Sequence, residues 1–147
     1  VYDKYLVLED DIDMADNMKL KLNRLMQLVD TIPNCDIVYL GNHIYKHNMK
    51  HYNAKLTTRD IGVAKYDTKL TIGGTFGYIV TKSGAKKFVD FIDYYGIKHG
   101  IDYLMFHYDK EMGLEQYEVL PRLVTSDYVD SMHIADSDIQ YDTSRLF

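Results

Sequence analysis

Apolar residues fall in short runs whose spacing alternates between strand-like and helical. Lys4-Tyr5-Leu6-Val7-Leu8 is a short, β-rich run that ends in Glu9, Asp10 and Asp11, the pattern of a buried core strand opening onto a loop. From Asp16 onward, Met18, Leu22, Leu25, Met26 and Val29 recur at helical spacing, which predicts an amphipathic helix stopped near Thr31 and Pro33. Asp36-Ile37-Val38-Tyr39-Leu40 reads as a second buried strand, broken by Gly41-Asn42.

Residues 42 to 70 carry no clean period and read as a long loop or irregular hairpin. Gly73-Gly74 precedes a strand over 75–81, after which Ser83 caps a helix whose Ala85, Phe88, Val89 and Ile92 share a face. Ile101, Leu104, Met105 and Tyr108 form a short amphipathic stretch with Asp102 at its start, where the helix dipole favours a carboxylate. Tyr117 to Leu120 is a strand closed by Pro121, and the polar tail after Val124 is expected to lie over the surface or fold back on a site. Strands alternating with helices, with no repeat and no linker, predict one α/β domain over 1–147.

Composition narrows the function classes. The 147 residues are 46% hydrophobic, 27% charged and 13% aromatic, enough for one core without disulfide or metal staples. Seventeen basic against 22 acidic residues leave a net charge of −5. With no basic run, nucleic acid and anionic lipid are not expected partners, whereas divalent cations are. The lone Cys35 cannot form an intramolecular disulfide. No apolar run reaches the roughly 18 residues of a membrane span and no signal-peptide pattern opens the chain, so the compartment stays open with the cytoplasm as default.

The strongest chemical signal is Glu9-Asp10-Asp11, with Asp13 and Asp16 close behind. Adjacent carboxylates repel unless a cation sits among them, and oxygen ligands suit magnesium, manganese or calcium. A solvated acidic turn is the plain alternative. An EF-hand is excluded, because a series from Asp11 and Asp13 places Ala15 and Asp16 where a third ligand and a glycine belong. His43, His47 and His51 are spaced four apart, but poor helical periodicity and the lack of cysteine partners argue for loop histidines rather than zinc ligands. None of the fourteen tyrosines is singled out by its spacing.

Leu6 to Asp11 also resembles the first strand of phospho-acceptor receiver domains. That resemblance ends early, since the next strand runs into Gly41 with no acceptor aspartate and no Lys-Pro pair follows.

A longer ordered match runs through Leu6 to Asp11, Asp36 to Gly41, Gly74-Thr75-Phe76-Gly77-Tyr78-Ile79-Val80 with Ser83 to Lys87, Gly100 to Leu104, and Leu120 to Val124 with Ser137-Asp138-Ile139. These segments resemble glycosyltransferase family 25, which includes lipopolysaccharide sugar transferases and collagen hydroxylysine galactosyltransferases. The resemblance implies a GT-A-like fold and metal-dependent, inverting transfer of a hexose, galactose or glucose. The donor would be a nucleotide diphosphate sugar and the acceptor a hydroxyl of a glycan or hydroxylysine. Asp11 would be the main ligand of Mn2+ or Mg2+, helped by Glu9 or Asp10, with His133 as a late third ligand or else a surface histidine. Asp102 would be the catalytic base, or an ordinary helix-start aspartate. Gly73, Gly74 and Thr75, together with Asp10, would meet donor or acceptor, although a plain β-turn also explains the glycines. GT-A enzymes place a nucleotide-binding half before the metal-binding acids. Here the acids stand at position 9, so that half is expected to be absent, leaving a sheet edge that another copy of the chain would cover. The competing expectation is a non-catalytic module with the same fold.

Overall fold

The computed structural model describes residues 3–44, 60–69, 71–97 and 99–126. His47, His51 and His133 lie outside them. A five-stranded sheet runs in the order β1 (Lys4–Leu8), β5 (Thr71–Thr81), β3 (Ile37–Ile44), β6 (Gln116–Leu120) and β4 (Gly62–Lys65). Among the described residues β3 and β6 pair in parallel, and the other neighbours are antiparallel. A separate ribbon pairs β2 (Ile12–Met14) with β7 (Val124–Ser126). The helices are α1 (Met18–Val29), α2 (Lys82–Tyr95), α3 (Ile101–His107) and α4 (Asp109–Met112).

Alternation along β3 divides the core, because successive side chains of a strand point to opposite faces. Val38 and Leu40 pack with Leu25 and Val29 of α1, and with Val124 of β7. Ile37 and Tyr39 face the other way, against Phe91 of α2 and Leu104, Met105 and Phe106 of α3. The central strand is therefore covered on both sides over its first half, where Ile37, Val38, Tyr39 and Leu40 are 0–1% exposed.

Asp36, just before β3, is 1% exposed. Its Oδ2 accepts from Lys87 Nζ at 2.6 Å and from the Glu115 amide at 2.9 Å. Its backbone N–H donates to Glu115 O and its carbonyl accepts from Thr81 N–H, both at 2.9 Å. Lys87 also donates to Gly113 O at 2.6 Å. A Cβ on Gly84 would sit 2.5 Å from Asp36 O, so only glycine lets α2 come this close.

Several expectations are corrected. The first strand is not a core strand. Among the described residues β1 is an edge strand with β5 as its neighbour, and Tyr5, Leu6, Val7 and Leu8 are 36–45% exposed, because the helices cover the sheet around β3 rather than here. Gly41-Asn42 does not break β3, which runs on to Ile44 through an irregular register. At Gly41 a Cβ would meet Val124 O at 2.0 Å, so this glycine admits β7 against the sheet. β5 is longer than 75–81 and takes in Gly73 and Gly74, with Gly73 opposite His43, so the glycines are strand residues and not a turn. Thr81, rather than Ser83, caps α2, its Oγ1 accepting from the Gly84 amide at 3.1 Å. β4 lies inside the segment read as a loop.

Replacing Lys87 with Met leaves a buried carboxylate without its counter-charge and is expected to cost about 3–5 kcal/mol in equilibrium urea unfolding. The exposed Lys86, paired with Asp90 one helical turn on, is the control. Lys86→Met should cost no more than about 0.5 kcal/mol.

Candidate active site

The acidic segment is fixed at both ends. On one side the β1–β5 pairing continues past Leu8 and Gly77, with Glu9 N–H donating to Phe76 O at 3.1 Å. On the other, Ile12 to Met14 pair with Ser126 to Val124 of β7. Glu9, Asp10 and Asp11 thus bridge two sheets in a short turn. Thr75, 7% exposed, precedes Phe76 on the strand against which Glu9 is bonded.

α3 supplies the fourth carboxylate, Asp102, in its first turn. Buried Leu104, Met105 and Phe106 press the helix on the sheet. A hydrogen-bonded chain locks it in place: Tyr39 Oη donates to Gln116 Oε1 at 2.6 Å, and Gln116 Nε2 donates to Met105 O at 3.0 Å. Asp102 Oδ1 accepts from the Tyr103 amide at 2.7 Å. Gly100 leaves room for that carboxylate, since a Cβ there would stand 3.0 Å from Oδ1.

The charges feel one another. The Glu9 carboxyl is pushed above its usual range, first by partial burial and then by the negative charges of Asp11, Asp102 and Asp10. Tyr78 is raised by burial and by Glu9. Tyr39, deeply buried, is raised well above the usual phenol range by burial, then by Tyr66 and Tyr78 and, more weakly, by Asp109 and Asp102. The fold therefore gathers Glu9, Asp10, Asp11 and Asp102 into one negative field, although Asp102 is more than ninety residues away in sequence.

Among the described residues, no three His, Cys, Asp or Glu side chains converge closely enough to hold a metal ion by themselves. What the carboxylates offer is a partial oxygen set in a field that a cation would relieve. That fits a hard divalent ion held by one or two carboxylates and completed by phosphate oxygens and water. Glu9 and Asp11 are the residues that would hold it.

Tyr78, Tyr39 and Gln116 belong to this neighbourhood and escaped the sequence reading. Tyr78 sits in an alternating strand and Gln116 at a strand start, and nothing local marks either as reaching a carboxylate or a helix carbonyl.

These features define a mixed α/β protein with an acidic centre where the edge strand of its sheet ends. The chain belongs to glycosyltransferase family 25, described as "LPS biosynthesis protein", whose sequence profile matches residues 2–105. It is also similar to a protein of Acanthamoeba polyphaga mimivirus named "Putative glycosyltransferase R655", with 35% identity over 154 aligned positions. The match takes in 97% of this chain and 43% of that protein, so the chain spans less than half the length of its relative.

A carboxyl whose folded pKa is raised favours folding fully below its unfolded value, and that contribution is lost as pH rises through the folded value. Glu9→Gln is accordingly expected to raise the melting temperature at pH 7, with the gain vanishing below the ordinary value of 4.5. Thermal unfolding across pH checks this. By side-chain NMR, the wild-type Glu9 midpoint should fall in both Asp11→Asn and Asp102→Asn.

Proposed function

We propose that this chain carries metal-holding and base residues of a GT-A-type, inverting hexosyltransferase that uses a nucleotide diphosphate sugar and a hydroxyl acceptor. The observation that carries the reading is the shared field of Glu9, Asp10, Asp11 and Asp102. Family membership supports sugar transfer, and the acidic centre supports a cation. Mn2+ or Mg2+ at Asp11 and Glu9, with His133 as a further candidate ligand, would neutralise the charge that builds on the departing diphosphate.

Asp102 acts as the base. Its carboxylate takes the proton of the acceptor hydroxyl as that oxygen bonds the sugar's anomeric carbon, and the bond from that carbon to the diphosphate oxygen breaks on the opposite face. The pair of electrons leaves with the nucleoside diphosphate. Anchoring through Met105 and Gln116 keeps Asp102 on a rigid element, and Gly100 gives its carboxylate space. Thr75, Gly73 and Gly74, with Asp10, line the strand and turn that would face donor and acceptor. The acceptor is a glycan or hydroxylysine hydroxyl and the sugar galactose or glucose.

Calorimetry of Mn2+ with and without a uridine diphosphate hexose tests the cation role. Linked binding that disappears in Asp11→Ala is expected, and unchanged Mn2+ binding by that variant removes the cation from the reading. For Asp102→Asn, turnover should drop about 10²- to 10⁴-fold with donor binding retained. Full turnover excludes it as the base.

A further inference from the structure

On the far side of α3 lies a pocket that the acidic centre does not use. It has a volume of about 140 Å³ and is lined by Phe91, Tyr95 and Gly96 at the end of α2, by His99, and by Tyr108 and Glu111 around α4. The Phe91 ring lies 4.6 Å from that of Tyr95 and 5.4 Å from that of Tyr108. Tyr95 is 53% exposed, so the pocket opens to water, and Tyr94 packs edge-on against it at 4.6 Å. Beside the mouth the half-exposed Tyr103 lies between His99 and His107, at 4.5 and 4.2 Å. A group of rings left at the surface beside polar side chains marks a recognition site.

We propose that this pocket is a carbohydrate subsite taking one pyranose ring of the acceptor glycan. Tyr95 and Tyr108 would meet the ring's C–H face, and Glu111 and His99 would bond its hydroxyls. This rests on the transferase reading above. A closed cavity of roughly 150 Å³ holds a benzene-sized ring, so this open pocket of about 140 Å³ would seat one face of a pyranose and leave the remaining hydroxyls in water. Hexoses present apolar C–H faces ringed by hydroxyls, which matches aromatic walls bearing one carboxylate acceptor and one imidazole. A wholly apolar guest would bury Glu111 and His99 without partners, and a phosphate would meet the Glu111 charge.

Placement gives the subsite its role. Leu104, which also lines the pocket, follows Asp102 by two positions on α3. Two positions turn the helix by about 200°, and a helix with its side chains is roughly 10–12 Å across. The pocket therefore receives a ring remote from the reacting hydroxyl, on a glycan that passes around the start of α3.

The test is an amide NMR titration of the full chain with the methyl pyranosides of galactose and glucose, and separately with N-acetyltyrosine amide. At least one pyranoside is expected to shift Tyr95, Gly96, His99 and Glu111. Tyr95→Ala and Glu111→Gln should each weaken it by about fivefold or more. Both side chains line an open pocket, and an unchanged melting temperature verifies folding. Absence of these shifts with every pyranoside, shifts undiminished in Tyr95→Ala, or a response to the tyrosine amide alone overturns the proposal. Neither donor nor cation is needed, which separates the two readings. Sugar binding here without any transfer by the wild type counts against the transferase alone. Transfer whose acceptor KM is unmoved by Tyr95→Ala counts against the subsite alone.

Discussion

The buried Asp36 carboxylate is held by Lys87 and the Glu115 amide, which close around it, and the sheet is organised about that point. Asp36 leads into β3, Thr81 ends β5, Lys87 lies on α2 and Glu115 leads into β6, so one residue gathers four elements through side chain and backbone together. Withdrawing either partner would leave the other stranded away from water, so α2 is held to one place over the sheet. From there the constraint passes outward. With β3 and β6 aligned, Tyr39 and Gln116 meet, Gln116 holds Met105, and Asp102 at the start of α3 comes within electrostatic reach of Glu9 at the end of β1. The acidic centre is the far end of this chain of contacts.

Periodicity carried the secondary structure well where each element buries a regular face. α1 repeats at helical spacing, and β3 is apolar on both faces because it is covered on both. Sequence reading failed where the outcome depends on neighbours distant along the chain. β1 has the composition of a core strand, yet its place at the edge follows from which strands pair and not from its own residues. Gly41 looks like a stop signal because a glycine in a strand usually is one; its purpose, admitting the Val124 carbonyl, is invisible without β7. Thr81 and Ser83 are both competent caps, and only the path of β5 into α2 decides between them.

The acids of the candidate site were legible as a local cluster, since three carboxylates in a row stand out in any chain. Their relation to Asp102 was legible only through family resemblance, and the fold supplies the physical link by raising Glu9 in the field of Asp102. The supporting groups were not legible at all. Gln116 and Tyr39 act through hydrogen bonds across 77 residues of chain, and neither has a local signature that separates it from other polar or aromatic core residues.

The strand order also governs the sequence of events in folding. Among the described residues β5 is the partner of β1, and the two are joined by a connection longer than sixty residues. Such non-local pairing is slow to form, and at roughly 5–20 residues per second of synthesis several seconds separate the emergence of the two strands. During that interval Tyr5, Leu6, Val7 and Leu8 wait as an unpaired apolar segment, open to chaperones and to one another. The carboxylates at the end of β1 are translated before β5, β7 and the helix that carries Asp102, so the acids are made well ahead of the elements that come to surround them.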